Sequence, residues 1–232
     1  HPNKAGAEKM ATVWFEALKK VLASSETVFS PEIVRYKTLE DGDSLALHIF
    51  KPRNMQAGEK RPAIVYFFGG GWKLGSPIQF YRECAYYASK GMIAVSVDYR
   101  IGYLHHSTPF ESFEDAKDAI CWLRSHASDY QLDPDKIAVA GGSAGGHLAA
   151  ALGTIGSDET VPAGYRPNLS VLYYPVIDMV SRGYGFPEIK RDFEKISPIH
   201  HVSEATPSTL ILLGTKDPIV SVETIEAYQD KL

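Results

Sequence analysis

The sequence predicts an α/β domain: a mostly parallel, twisted sheet with helices on both faces. Three observations carry this reading. Strand-like and helix-like segments alternate over most of the 232 residues, the pattern of successive βαβ units. The strand candidate at 62–68 is a continuous apolar run, as sheets covered on both faces require. Two glycine clusters each stand between such a run and a helix-like segment.

In chain order, residues up to about 23 place Val13, Ala17, Leu18 and Val21 on one face of a helix. Residues 33–39 and 45–50 read as strands, and the turn Asp41-Gly42-Asp43 makes them an antiparallel hairpin. Residues 62–68 are a buried strand, and 81–90 form a helix stopped by Gly91. The next buried strand is 92–98. Ser112 and Asp115 stand at capping-box spacing by the stripe Phe113, Ala116, Ala119, Ile120 and Leu123, so a helix is expected to start there. Asp133-Pro134-Asp135 reads as a turn, 136–140 as a strand and 145–153 as a small-residue helix. Residues 169–174 and 209–214 are further strands, and 222–232 begin a last helix. With no repeat, linker or low-complexity tract, residues 1–232 read as one domain.

The 24 basic and 28 acidic residues leave a net charge of −4, without the basic surplus that grips nucleic-acid phosphates. No apolar run reaches the roughly 18–20 residues of a membrane-spanning helix. Cys84 and Cys121 read as two buried free thiols, and no Cys/His spacing suits a metal. Neither a metal nor a cofactor is expected. The chain opens at His1 without a secretory pattern, which reads as a processed, tagged or trimmed form.

Eight of the 19 glycines fall in two clusters: Gly69, Gly70, Gly71, Gly75 and Gly141, Gly142, Gly145, Gly146. The second cluster, Ala140-Gly141-Gly142-Ser143-Ala144-Gly145-Gly146-His147, contains G-x-S-x-G. A serine in this setting sits on a strained strand-to-helix turn that lifts its hydroxyl over the sheet edge. The helix N-terminus beneath it favours a developing oxyanion. Ser143 is therefore the candidate nucleophile. A phosphate loop is the competing reading, but neither G-x-G-x-x-G nor the Lys-Ser/Thr ending is present. The first cluster, Phe67-Phe68-Gly69-Gly70-Gly71-Trp72, follows the strand at 62–68. Gly70, Gly71 and Ala144 are the candidate amide donors of an oxyanion hole.

These motifs resemble the hormone-sensitive-lipase-like esterase group of α/β-hydrolases. The resemblance is greatest to the branch of bacterial acetyl-xylan and feruloyl esterases with F-G-G-G-W in place of H-G-G-G. Asp98-Tyr99-Arg100, Phe113-Glu114-Asp115-Ala116, residues 135–150, Tyr174-Pro175-Val176-Ile177-Asp178 and Ser197-Pro198-Ile199-His200-His201 share in it, from about Arg61 onward. It implies an α/β-hydrolase fold and a serine carboxylesterase forming an acyl-enzyme. The substrates it implies are small acyl esters, among them acetyl or feruloyl esters of plant polysaccharides. Action on polysaccharide would mean a secreted or periplasmic protein, and another substrate a cytoplasmic one.

Chain order in such hydrolases is Ser, then Asp or Glu, then His. Asp217, just past the strand at 209–214, is the candidate acid, with Asp178 as the alternative. No histidine follows Asp217. A C-terminal strand and helix are therefore expected beyond Leu232, in a remainder or second chain that carries the histidine. Without them the strand at 209–214 is an unpaired edge. His147 reads as packed one turn below Ser143, and His48, His126, His200 and His201 as structural. Trp72, His105 and His106 are the candidate substrate contacts, with Tyr81 and Tyr103 near the same loops. The partner is then a small-molecule or saccharide-linked ester. The competing function is a catalytically silent ligand-binding module that lacks the triad histidine. Asn168-Leu169-Ser170 matches a glycosylation acceptor formally and reads as chance at a strand start.

Overall fold

Strands that are apolar along most of their length need cover on both faces, and two such strands, Arg61–Phe67 and Ile93–Val97, take the middle of the sheet. The computed structural model describes residues 30–156, 163–179 and 192–232. Its strands are β1 (Glu32–Thr38), β2 (Ser44–Phe50), β3 (Arg61–Phe67), β4 (Ile93–Val97), β5 (Leu132–Gly142), β6 (Leu169–Tyr173) and β7 (Ser208–Leu212). They form one sheet in the order β1-β2-β4-β3-β5-β6-β7. β1 and β2 make the expected antiparallel hairpin, β2 joins β4 antiparallel, and every pair from β4 to β7 is parallel. β4 is buried throughout and β3 from Ala63 to Phe67. β1 carries Glu32, Arg35 and Lys37, charges that suit an edge. At the other edge, Leu210 of β7 is 56% exposed.

The helices are α1 (Tyr81–Ser89), which follows a 3-10 turn at Pro77–Phe80, the short α2 (Gly102–His105), α3 (Pro109–Ser125), α4 (Ala144–Thr154) and α5 (Val222–Gln229). α1 packs on β2, β3 and β4. α3 and α4 pack on each other, and α4 lies along β3, β5 and β6. No helix among the described residues is long and apolar enough to cross a membrane. Pro31–Leu232 group as one unit. The helix expected before residue 23 lies outside the described residues.

Three local expectations change. Helix α3 starts earlier than its apolar stripe suggests. Pro109 opens it, and the capping box belongs to Thr108 and Glu111. Ser112 and Asp115 are instead buried inside the helix. Ser112 donates to the Arg100 carbonyl (2.8 Å). Asp115 accepts from Arg100 Nε and Nη2 (both 2.8 Å) and from Lys37 Nζ (2.6 Å), tying β1, the chain after β4 and α3 together. β5 is also longer than expected. Asp133 Oδ1 accepts from the Asp135 amide (3.1 Å), so the predicted turn survives as a kink inside the strand, where its register against β3 shifts. Both cysteines are free, but only Cys84 is buried, and Cys121 lies exposed on α3. Asn168, exposed at the start of β6, accepts from the Ile137 amide (2.9 Å) and aligns β6 with β5.

Removing the Asp115 carboxylate strips two cations of a shared partner where water is excluded. Asp115→Ala is expected to lower stability by about 3 kcal/mol or more, measured as a drop in the urea midpoint. A loss below about 1 kcal/mol, the range of exposed pairs, would show that this network does not hold β1 to α3.

Candidate active site

In a parallel sheet the loops at the strands' C-terminal ends converge on one edge, where side chains from distant segments meet. Here those loops follow β3, β5, β6 and β7. The tightest approach joins the first two. A Cβ at Gly145 would lie 2.0 Å from the Phe67 carbonyl oxygen and 2.4 Å from that of Phe68. Only glycine lets the first turn of α4 come so close to the end of β3. The chain must bend sharply to enter α4 there, and Ser143 takes the bend at φ 54°, ψ −117°. That conformation costs a non-glycine residue on the order of 1–3 kcal/mol. Ser143 N donates to the Tyr173 carbonyl (3.0 Å), which offsets part of the cost. The residue itself is only partly buried, on the open side of the bend.

The glycine loop packs directly on this serine. A Cβ at Gly69 would lie 3.5 Å from the Ser143 Cβ. Gly70 is at φ +136°, a region that favours glycine. The loop's backbone groups are nearly all accounted for. Tyr99 Oη donates to the Phe68 carbonyl (2.7 Å), and the two rings stack at 4.1 Å. The Gly70 carbonyl accepts from the Lys73 and Leu74 amides (3.2 Å each). Gly102 N donates to the Trp72 carbonyl (2.8 Å) and Tyr103 N to that of Lys73 (3.1 Å), which ties the loop to α2. Among the described residues, nothing accepts from the amides of Gly70 and Gly71. Ala144, first residue of α4, has no acceptor within its own helix. Gly70, Gly71 and Ala144 are the amides that the sequence puts forward as oxyanion donors.

Asp217 lies past the end of β7, two strands from β5. Its Oδ1 accepts from the Val220 (2.9 Å) and Ile219 (2.8 Å) amides, and those bonds hold the carboxyl below the usual carboxylate range. The acid is thus ionised and oriented by its own turn. Asp178, the alternative, faces His200 Nε2 at 3.8 Å.

The described histidines are engaged elsewhere. His147 is fully buried, donates from Nε2 to the Ile196 carbonyl (2.7 Å) and meets the Trp72 ring edge-on at 5.1 Å. Burial pushes its imidazole down to about 4, against the pull of that hydrogen bond. His48 pairs with the Tyr81 hydroxyl, His126 with the Trp122 carbonyl and His201 with that of Glu194. His105 Nδ1 accepts from the Ile101 amide (3.0 Å), and its ring lines a cleft of about 580 Å³ with Lys37, Glu40, Asp41 and Arg100. Burial pushes neighbouring Asp98 up to about 6, with His105 opposing it. His106, exposed, ends α2 in the left-handed region. Trp72, expected at the substrate, is 1% exposed: its ring belongs to the core behind the loop.

Two residues at this edge were not among the site candidates read from the sequence. Tyr174, 45% exposed, places its hydroxyl where a Cβ at Gly142 would meet it at 2.9 Å, beside the bend. Gln79 accepts the Gly69 amide at 2.5 Å.

Residues 47–185 match the BD-FAE family model. The chain is 28% identical to esterase LipC of Mycobacterium tuberculosis, over 83% of this chain and 53% of that protein. It is 26% identical to an acetylxylan esterase of Xylanibacter ruminicola, over 80% of this chain and 39% of that one. The chain spans about half the length of LipC and of other curated relatives it matches. Among solved structures, native esterase Est2 of Thermogutta terrifontis superposes with a TM-score of 0.80 at 36% identity, covering 87% of this chain and 76% of that one. Est2 is also known with propionate bound and phosphonylated by sarin.

His147 offers a test of how closed this core is. Its folded pKa of about 4 lies below the ordinary 6.5, so the stability it contributes is complete above 6.5 and falls as pH drops toward 4. Across that window wild type is expected to lose on the order of 3 kcal/mol more than His147→Gln, measured by denaturant unfolding at both ends. Parallel pH curves for the two proteins would show that His147 accepts a proton while folded.

Proposed function

Because the chain belongs to the BD-FAE family and has the α/β-hydrolase fold, we propose that it is a serine carboxylesterase working through an acyl-enzyme. The observation that carries the reading is Ser143 held at φ 54° against a loop whose Gly70 and Gly71 amides have no other acceptor among the described residues. Ser143 Oγ attacks the ester carbonyl carbon while its proton passes to an imidazole oriented by Asp217. The oxyanion that forms accepts from Gly70, Gly71 and Ala144, and each strong donor is worth roughly 3–4 kcal/mol. The imidazole returns the proton to the departing alcohol, and water then releases the acid by the same steps.

That imidazole is proposed to come from a segment following Leu232 or from a second chain. No histidine follows Asp217 in the sequence, and the described ones have other partners or lie on α2. The substrates are proposed to be small acyl esters, with acetyl or feruloyl esters of plant polysaccharides as the finer suggestion. The acetylxylan esterase among the relatives and propionate on Est2 support a short acyl group. Tyr174 and Tyr103, 45% and 70% exposed, offer ring faces for a sugar leaving group or an aryl-bearing acyl group at the rim.

A fluorophosphonate probe is expected to label Ser143, and an activated acetate ester to be hydrolysed, in a chain extended past Leu232. Ser143→Ala abolishes both. Asp217→Asn lowers kcat by about 10⁴-fold. An extended chain that neither labels nor hydrolyses would favour the silent ligand-binding module instead.

A further inference from the structure

We propose that Gln79 is a positioning residue of the glycine loop: its side-chain carbonyl takes up the Gly69 amide and leaves those of Gly70 and Gly71 as the loop's available donors. The inference rests on Ser143 being the nucleophile.

Gly69, Gly70 and Gly71 put three successive amides beside one serine. Without side chains, their peptide planes turn at little steric cost. Something must decide which N–H groups face the serine. The Gly69 amide donates to Gln79 Oε1 at 2.5 Å, and of the three glycine amides it is the one bonded to a described side chain. An N–H group can only donate, so the carboxamide oxygen must face Gly69 and its nitrogen points elsewhere.

The clamp is anchored in the sheet although Gln79 itself is exposed. It belongs to the 3-10 turn Pro77–Phe80. Ser96 of β4, fully buried, donates to the Pro77 carbonyl (2.7 Å). Phe80 stacks on Tyr66 of β3 at 4.8 Å. The backbone of Gln79 donates to Ser76 (3.2 Å), closing the turn. The loop is therefore gripped at its first glycine by Gln79 and at its far end by α2. A neutral carboxamide holds the amide without setting a charge beside a developing anion. A carboxylate would hold it too and would repel that anion.

Two substitutions separate these roles. Gln79→Met keeps the length and removes the acceptor. Gln79→Glu keeps the acceptor and adds charge. In the 232-residue chain, hydrogen exchange at the Gly69 amide is expected to quicken about tenfold or more in Gln79→Met and to stay near wild type in Gln79→Glu. In the extended chain, kcat per labelled serine is expected to fall roughly 10- to 100-fold in both, with KM within about threefold, because oxyanion donors act on the transition state. Unchanged exchange in Gln79→Met would overturn the proposal. So would a kcat loss fully explained by serine that no longer labels, or one expressed in KM alone. If Gly69 exchange responds but wild type neither labels nor turns over, the clamp stands and the esterase reading falls. Full turnover with unresponsive exchange gives the reverse.

Discussion

Where α4 leaves β5, its first turn lies against the end of β3 with no room for a methyl group at Gly145. The rest of the C-terminal edge is arranged around that approach. It forces the chain into the strained bend at Ser143 and brings the serine within van der Waals reach of a loop more than 70 residues earlier in sequence. It also aims the helix's first amides at the same point. Any side chain at Gly145 would push α4 away from β3 and widen the gap between hydroxyl and amides. Misplacement by about 1 Å at a reacting centre can cost 10²-fold in rate.

Support for the edge comes from behind, through groups that each satisfy a specific backbone atom. Tyr99 fixes the last carbonyl before the glycines, Gln79 the first glycine amide, and α2 the loop's return. Asp217 is held likewise by the amides of its own turn. Asp217 and the candidate amide donors are thus set independently, after separate strands. No single mobile element has to order both, and the strain at Ser143 is carried by the buried end of β5 and the buried β3 beside it.

Much of this was legible in the sequence. Strands buried on both faces announce themselves as apolar runs, and glycines at strand-to-helix junctions point to close approach before any coordinates are known. What the sequence concealed was how polar residues are spent. Ser112 and Asp115 carry the spacing of a cap, but Thr108 and Glu111 perform it, because Pro109 pre-sets the first helical turn one residue beyond Thr108. Asp115 is freed to become a buried counter-ion, a role decided by Lys37 and Arg100 from distant segments. Trp72 stands next to the glycines in sequence, yet its positive φ of 58° turns the ring inward onto His147. Gln79 looks like any solvated side chain in a short connection; only the three-dimensional accounting of amides sets it apart.

The fixings of the glycine loop share one chemical property: a phenol, a carboxamide, a hydroxyl and peptide groups, none of them ionised near neutrality. Burial drives the Tyr99 phenol even further from ionisation. Mild acidification or alkalinity therefore leaves these hydrogen bonds themselves untouched. The acid limb of a rate profile would still carry two contributions, that of the reacting groups and that of His147, whose protonation loosens the core beneath the bend toward pH 4.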